Sequence, residues 1–275
     1  MNRLENITKP LRWLMALLLV AVVAGCGGGN GVPGSDTGAG SGPPGPAGAS
    51  PSLRTASTYG VFASAAAVTL AANSSVTGDV GLKPAGACNN CVVGVTILNG
   101  VIHNGDAAAT QAQTDFNNAY IDAANRATNA CPITGDLSAA QANCVGYTPS
   151  TPGPTYGPGL YRTATTITLS GNMTLDAHNN PDAVFIFQTN SAITTGSNST
   201  VTLANLAQAK NVWWMAGSAA TVGVSSHFKG TVIANGAAVT VLGGTALAPT
   251  LVEGRLFSHS AGAVVDTYAT VTVPQ

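Results

Sequence analysis

Short strand-like segments along this 275-residue sequence share one pattern, Ala-x-Thr. The pattern occurs at residues 67–69, 164–166, 192–194, 219–221 and 238–240. In the second half of the chain its alanines stand 28, 27 and 19 residues apart, which is too irregular for a strict repeat but suits coils of three short strands. We therefore predict a mainly β fold, an irregular three-sided β-solenoid.

Alternation along each strand assigns the two faces of these segments. If Ala and Thr point one way, the residues between and after them point the other way, and these are nearly all apolar. They are Val68, Leu70, Ile167, Leu169, Ile193, Ala220, Val222, Val239 and Val241. Because burying Thr and exposing Val or Ile would be unfavourable, the apolar set should form the core.

The opposite side should then be an uncharged outer surface of methyl and hydroxyl groups. Stacked coils repeat about every 4.8 Å, so such a surface could hold water in an ordered array. The alternative is a structural role, in which rows of Thr only stabilise the stacking. The candidate binding residues of this water-ordering surface are Ala67, Thr69, Ala164, Thr166, Thr168, Ala192, Thr194, Ala219, Thr221, Ala238 and Thr240.

A different period appears at residues 106–127, which contain neither Gly nor Pro. Apolar residues follow helical steps of three and four, and Asn104 or Asp106 could cap the start. The predicted buried stripe is Ala109, Ala112, Phe116, Ala119, Tyr120, Ala123 and Ala127. The predicted solvated face includes Gln111, Asp115, Asn118, Asp122 and Asn125. Residues 129–158, with five prolines, are predicted to be a loop.

The N-terminus has the features of a secretion signal. Residues 1–25 combine a basic start with an apolar run, and Cys26 follows in a context similar to the bacterial lipobox. Acylation of Cys26 would anchor the protein to a membrane. By resemblance to Gram-negative lipoproteins, Gly27 after that cysteine implies the outer membrane. Residues 26–52 are rich in Gly, Pro and Ser and should form a flexible tether, which leaves 53–275 as the folded domain.

Four further cysteines are Cys88, Cys91, Cys131 and Cys144. Outside the cytoplasm an even number favours disulfides, and proximity suggests Cys88–Cys91 and Cys131–Cys144, although three pairings are possible. A four-cysteine zinc site and a thioredoxin-like Cys-x-x-Cys remain alternatives.

The composition and motifs argue against most other functions. Only 8% of the residues are charged and the net charge is -1, so nucleic acid is not an expected partner. No nucleophile elbow, phosphate loop or zinc-protease motif occurs, and His103, His178, His227 and His259 are scattered among turn residues. Parallel solenoids also host polysaccharide-cleaving enzymes and carbohydrate-binding adhesins, and alternation would leave one of Trp213 and Trp214 outward for a sugar.

Residues 57–275 resemble a bacterial and fungal family of ice-binding proteins, once classed as a domain of unknown function. The matching segments follow in order along the chain. They include residues 75–82, 99–113, 159–161, 173–176, 181–188, 211–214, 217–223 and 254–256. Some family members carry a Thr-Ala/Gly-x-Thr/Asn pattern on the ice-binding face, and residues 163–166, 191–194 and 218–221 are similar to it, whereas residues 260–264 lack Thr.

The resemblance implies a discontinuous β-solenoid with the helix at 106–127 lying along one side and residues 129–158 leading back to the coils. It implies binding to the surface of ice by a protein outside the cytoplasm, with no enzymatic activity. We expect a monomer without cofactor or metal.

Overall fold

The computed structural model describes residues 47–139, 141, 147–148 and 153–275, with the backbone alone described at 147–148. The predicted signal peptide, the acylated Cys26, the tether up to residue 46 and Cys144 lie outside the described residues.

The strands form three sheets around a common interior. The strands are β1 (Tyr59–Ala63), β2 (Val68–Leu70), β3 (Ser75–Thr77), β4 (Asp79–Leu82), β5 (Cys88–Asn89), β6 (Ile97–Leu98), β7 (Ile102–Asn104), β8 (Cys131–Pro132), β9 (Tyr147–Thr148), β10 (Thr155–Tyr156), β11 (Gly159–Thr163), β12 (Ile167–Leu169), β13 (Asn172–Asp176), β14 (Phe185–Thr189), β15 (Ile193–Thr195), β16 (Thr200–Ala204), β17 (Val212–Ala216), β18 (Ala220–Val222), β19 (His227–Ala234), β20 (Val239–Val241), β21 (Thr250–Ser258), β22 (Ala263–Val265) and β23 (Ala269–Thr272). Short 3₁₀ helices span Arg54–Thr58 and Ala209–Asn211.

Each sheet takes one strand, or part of one, from successive coils. Sheet 1 has the order β12-β15-β18-β20-β22-β2-β5. Sheet 2 has the order β6-β3-β23-β21-β19-β16-β13-β10-β9. Sheet 3 runs β7-β4-β1-β21-β19-β17-β14-β11-β8. All pairs between named strands are parallel except β9 with β10, so the predicted β-solenoid is confirmed.

Two strands turn the corner between sheet 2 and sheet 3 without a break. Strand β19 does so at Gly230, whose φ is 116°. A Cβ at this position would also lie 2.7 Å from the carbonyl oxygen of Val212, so only glycine fits. The same strand can therefore pair with one neighbour in each sheet.

The coils do not stack in chain order. Strands β21, β22 and β23, the last in the sequence, pair with β1, β2 and β3, the first. The first strands form one end of the solenoid, and the chain then crosses to the other end. The later coils stack back toward the first, so the last strands pair with the first ones. This order is the discontinuity that the family resemblance implies.

The interior is filled as alternation predicts. All nine residues of the predicted core set are at most 3% exposed. Larger side chains fill the wider coils, where Trp214 stacks on Phe187 with ring centroids 4.3 Å apart and Phe187 stacks on Tyr161 at 5.0 Å. The core is therefore a continuous apolar column, stabilised mainly by burial.

Helix α1 (Ala107–Asn125) provides the crossing from one end to the other. Asp106 caps it by accepting a hydrogen bond from the Ala109 amide at 2.8 Å, a contact typically worth about 1 kcal/mol. Its buried side chains pack on the outer face of sheet 3, where Phe116 meets Phe62 and Phe257 at 5.2 and 5.0 Å. The predicted helix is confirmed to within two residues at each end.

Two details of the predicted helix faces are wrong. Asp115, expected in solvent, is only 2% exposed, because the 3₁₀ helix at Arg54–Thr58 covers it. Thr55 donates to its carboxylate through Oγ1 at 2.6 Å and through its amide at 3.2 Å. Ala127, expected in the stripe, lies beyond the end of the helix and is exposed.

The described residues already pack at Ala47, six residues before the predicted boundary at 53. Ala47 is 1% exposed, and its carbonyl and that of Ala49 accept hydrogen bonds from Arg126 Nη1. The Ser50 hydroxyl accepts a hydrogen bond from Trp213 Nε1 at 3.0 Å. Within the described part of the chain no helix is long and apolar enough to cross a membrane.

The three cysteines among the described residues lie at the ends of the solenoid. A disulfide joins Cys88 to Cys91 beside β5, as proximity suggests, and Cys131 is also disulfide-bonded. The predicted loop at 129–158 is not only a loop, since it supplies β8, β9 and β10 and a bridge from Asp136 to Thr168. Its described residues belong to the end coil of the solenoid.

Candidate functional site

The middle residues of the sheet 1 strands form one in-register row on the outer surface. We call this row the Thr row. Neighbouring members are paired in register along the whole sheet. In spatial order they are Thr168, Thr194, Thr221, Thr240, Val264, Thr69 and Asn89.

A second row runs beside it, two residues earlier on each strand. We call it the Ala row, and it consists of Thr166, Ala192, Ala219, Ala238, Gly262, Ala67 and Ala87. The described residues of both rows contain no charged side chain, and each side chain faces away from the buried residues between the rows.

One predicted triplet is out of register with the others. The coil that contains β12 aligns Thr166 with Ala192 and Thr168 with Thr194, so Ala164 stands two residues before the Ala row. Ala164 is exposed in a bend and lines a separate cavity of about 420 Å³ with Arg162 and Asn190. In this coil residues 166–168, not 164–166, align with the other triplets. The spacing between Ala-x-Thr patterns did not reveal this shift of two residues.

The hydroxyl groups at the centre of the Thr row are available to water. Among the described residues, Thr194, Thr221 and Thr240 have no protein partner for Oγ1, and Thr194 is the most exposed of the three. Their β-branched side chains have few rotamers, so holding them in one array costs little entropy. The centre of sheet 1 is thus a preorganised arrangement of methyl and hydroxyl groups.

The two ends of the Thr row are tied to neighbouring groups. Asn89 donates to Thr69 Oγ1 at 3.1 Å, and Thr168 donates to the Gly135 carbonyl at 3.2 Å. Beside Thr168, burial opposes ionisation of Asp136, but hydrogen bonds from Ser170 and Ser138 outweigh it and hold the pKa of Asp136 below its usual range. These contacts fix the edges of the surface and leave its centre free.

Sheet 2 also carries a row of outward residues rich in threonine, which the sequence analysis did not single out. Its outward residues are Thr155, Thr174, Thr202, Lys229, Glu253, Thr272, Thr77 and Leu98. The Lys229 ammonium lies 2.6 Å from a Glu253 carboxylate oxygen and divides the row in the middle. Alternation in Thr200-Val-Thr202 and Thr270-Val-Thr272 was the signal that could have found it.

The structure does not bring together the residues that the alternative sugar-binding and zinc sites would need. Trp213 and Trp214 point to opposite faces of their strand, as alternation predicts, but both are 1% exposed, so the expectation that one of them is available to a sugar is wrong. Trp214 is inside the solenoid, and the outer face that carries Trp213 is covered by α1 and residues 47–58. Within the described ranges no three His, Cys, Asp or Glu side chains converge as metal ligands, and the Cys88–Cys91 disulfide removes two ligands of the suggested zinc site.

Comparison with known proteins identifies the family. The family described as ice-binding-like matches residues 62–271, which contain almost all of the three sheets. This chain belongs to the ice-binding-like family.

Individual relatives agree with this assignment. The chain is 34% identical to an ice-binding protein of a Nostoc species, over 66% of this chain and 61% of that protein, so it spans less than two thirds of that relative's length. It is 30% identical to an ice-binding protein of Flavobacterium frigoris, over 74% of this chain and 69% of the relative.

A solved structure of an ice binding protein from an Antarctic biological consortium matches with a TM-score of 0.70 and 31% identity. The match covers 82% of this chain and 92% of that one. These relatives are named for binding ice, and none of the three names states a catalytic activity.

Proposed function

We propose that this protein is an ice-binding, antifreeze protein that adsorbs to ice through the Thr row and Ala row of sheet 1. The proposal rests on the in-register, uncharged rows, above all on Thr194, Thr221 and Thr240, whose hydroxyls lack protein partners. The names of the relatives support the same activity.

Regular spacing is what suits this surface to a crystal. Along the solenoid axis the rows repeat about every 4.8 Å, and along each strand the outward residues are about 6.6 Å apart. Hydroxyl groups at these positions anchor water by hydrogen bonds, and the methyl groups between them order the adjacent water without binding it. Water held in such an array can join the surface layer of an ice crystal.

The absence of charge matters as much as the presence of threonine. A charged side chain holds a strongly oriented hydration shell, which would have to be removed or distorted before the surface could meet ice. The parallel ladders on both sides of each strand keep the surface rigid, so little conformational entropy is lost on adsorption.

Among the described residues, no other element packs over the proposed surface. Helix α1 and residues 47–58 cover sheet 3, and the described chain begins at Ala47 on that side. We infer that a lipid anchor at Cys26 would retain the protein at an outer membrane, with the tether between the anchor and the folded domain. The protein would then act outside the cytoplasm as a monomer, retained at the cell surface.

Ice-affinity partitioning of residues 47–275 tests the proposal directly. We expect this fragment to enter slowly growing ice, and we expect Thr194→Tyr to prevent both partitioning and crystal shaping, because the larger ring holds the whole sheet away from the crystal. Circular dichroism and the melting temperature should stay close to those of the parent fragment, since Thr194 is exposed.

Exclusion of the parent fragment from ice would refute the proposal. Binding to a glycan array without thermal hysteresis would instead indicate a surface adhesin, and release of reducing sugar from a polysaccharide would indicate an enzyme. Labelling with radioactive palmitate in the natural host, with Cys26→Ala as the control, tests the anchor separately.

A further inference from the structure

The described part of the chain contains one deeply buried arginine that has no acidic partner. Arg255 on β21 is only 6% exposed. Its Nε and Nη2 groups both donate to the carbonyl oxygen of Ser57, at 2.9 and 2.7 Å. No carboxylate of the described residues lies within ion-pair distance of this guanidinium, and its remaining N–H groups have no protein acceptor there.

A buried cation without a counter-charge is costly. Desolvation lowers the pKa of Arg255 to about 10, which still leaves the guanidinium charged at neutral pH. By contrast, the other buried arginine, Arg126, pairs with the carboxylate of Asp122 at 2.7 Å. The uncompensated charge of Arg255 therefore needs an explanation other than packing alone.

A cavity of about 590 Å³ lies against this side chain. Hydroxyl and amide side chains line it together with Arg255, namely Ser57, Thr58, Thr77 and Asn99, and residues 273–275 form another wall. The cavity lies at the seam where the first coil of the chain packs against the last. These two coils are far apart in the sequence, so strand pairing rather than a connecting loop joins them.

We propose that this cavity binds a small oxyanion, a phosphate or carboxylate group, with the guanidinium of Arg255 as its principal partner. A guanidinium offers two parallel N–H groups to such an anion, and the hydroxyls of Ser57 and Thr77 and the amide of Asn99 can donate to the remaining oxygens. A bound anion would bridge the first and last coils and close the seam between them.

One nearby carboxylate limits the strength of the site. Asp79 accepts hydrogen bonds from Thr58 Oγ1 at 2.6 Å and from the Val101 amide at 3.0 Å. Its charge is thus held next to the cavity wall and opposes a second negative charge. We expect weak but saturable binding, detected as stabilisation of the folded state.

The test is an unfolding titration of the full chain with inorganic phosphate and, separately, with acetate, at ionic strength held constant by sodium chloride. A ligand that binds only the folded state lowers the unfolding equilibrium constant by a factor of one plus the ratio of its concentration to Kd, about eleven-fold at ten times Kd. Saturation with phosphate alone, or with acetate as well, distinguishes the two kinds of oxyanion.

Three variants separate a site from a general salt effect. Arg255→Met should abolish the saturable stabilisation, whereas Lys210→Met, which removes an exposed cation elsewhere, should preserve it. Asn99→Asp places a carboxylate in the cavity wall without changing the side chain's size, so it should also abolish the effect even if Arg255→Met fails to fold.

Equal stabilisation by phosphate, acetate and chloride would overturn the proposal. So would a saturable effect that survives in either Arg255→Met or Asn99→Asp. Because no ice is involved, failure here would leave the ice-binding proposal unaffected.

Discussion

Sheets 1 and 2 are built by the same stacked coils and both present threonine rows, yet they differ in charge and continuity. At the centre of sheet 1 are Thr221 and Thr240, whereas the corresponding region of sheet 2 has Lys229 and Glu253. Both pairs are in register on neighbouring parallel strands. The comparison shows that the β-solenoid supplies regular spacing on more than one side, and that side chains decide which side is uninterrupted.

The ion pair of sheet 2 is not required for stacking. Surface ion pairs typically contribute about 0–1 kcal/mol, and sheet 1 stacks with uncharged residues at comparable positions. The difference between the sheets is therefore a difference in surface chemistry on a shared backbone, and exchange of two side chains should transfer it.

Moving the ion pair to sheet 1 should have the largest effect. In the double variant Thr221→Lys with Thr240→Glu, we expect loss of most of the thermal hysteresis and of partitioning into ice, because two hydrated charges would stand at the centre of the Thr row. The melting temperature should change little, since both positions are on the surface and the new pair can form a salt bridge.

The matched control places the same residues on sheet 2. Thr174→Lys with Thr202→Glu uses neighbouring in-register positions there and should leave ice activity nearly unchanged. Equal losses from the two double variants would show that ice contacts both sheets, and loss only from the control would contradict the assignment to sheet 1.

Removing the ion pair from sheet 2 should have a smaller, opposite effect. Lys229→Thr with Glu253→Thr would join the two halves of that row into an almost continuous series from Thr155 to Thr77. If charge is what excludes ice, this variant should gain thermal hysteresis and shape crystals on additional planes. Unchanged activity would mean that flatness or spacing, rather than charge, limits sheet 2.

The sequence was most informative where one local rule governs the structure. Helical periodicity without Gly or Pro located α1, and alternation identified Val68, Leu70 and Ile193 as core because each strand has only two sides. Four of the five Thr residues of the Ala-x-Thr pattern lie in the Thr row for the same reason.

What local patterns missed depends on contacts between distant segments. Nothing near Trp213 reveals that residues 47–58 and α1 cover it, and nothing near Asp115 indicates Thr55 as its partner. The register shift at Ala164 arises because the bend before β12 places Thr166 beside Ala192. The register between coils is set by strand pairing between distant segments. Spacing along the sequence predicts that register only to within a few residues.

Filling the gap in the Thr row should give a modest gain. Val264 is the one position between Thr168 and Thr69 where the row has no hydroxyl. Val264→Thr keeps the shape and adds a hydrogen-bonding group, so thermal hysteresis should rise slightly, as measured by nanolitre osmometry. Val265→Thr is the contrasting variant, because its side chain is fully buried, and it should destabilise the fold without raising activity.

The edge of sheet 1 should show the smallest effect, on stability rather than on ice. Asp136 accepts hydrogen bonds from Ser138 and Ser170 and bridges to Thr168, whereas the matching edge of sheet 2 is covered by β9. Because the pKa of Asp136 is lower in the folded state than its ordinary value of about 3.9, its contribution to stability is complete above that pH and is lost as pH falls through the folded-state pKa. Urea unfolding of the parent and Asp136→Asn should therefore differ at pH 7 and converge as the pH falls below the ordinary range of an aspartate, and a difference that stays constant with pH would show that the charge of Asp136 does not hold this edge.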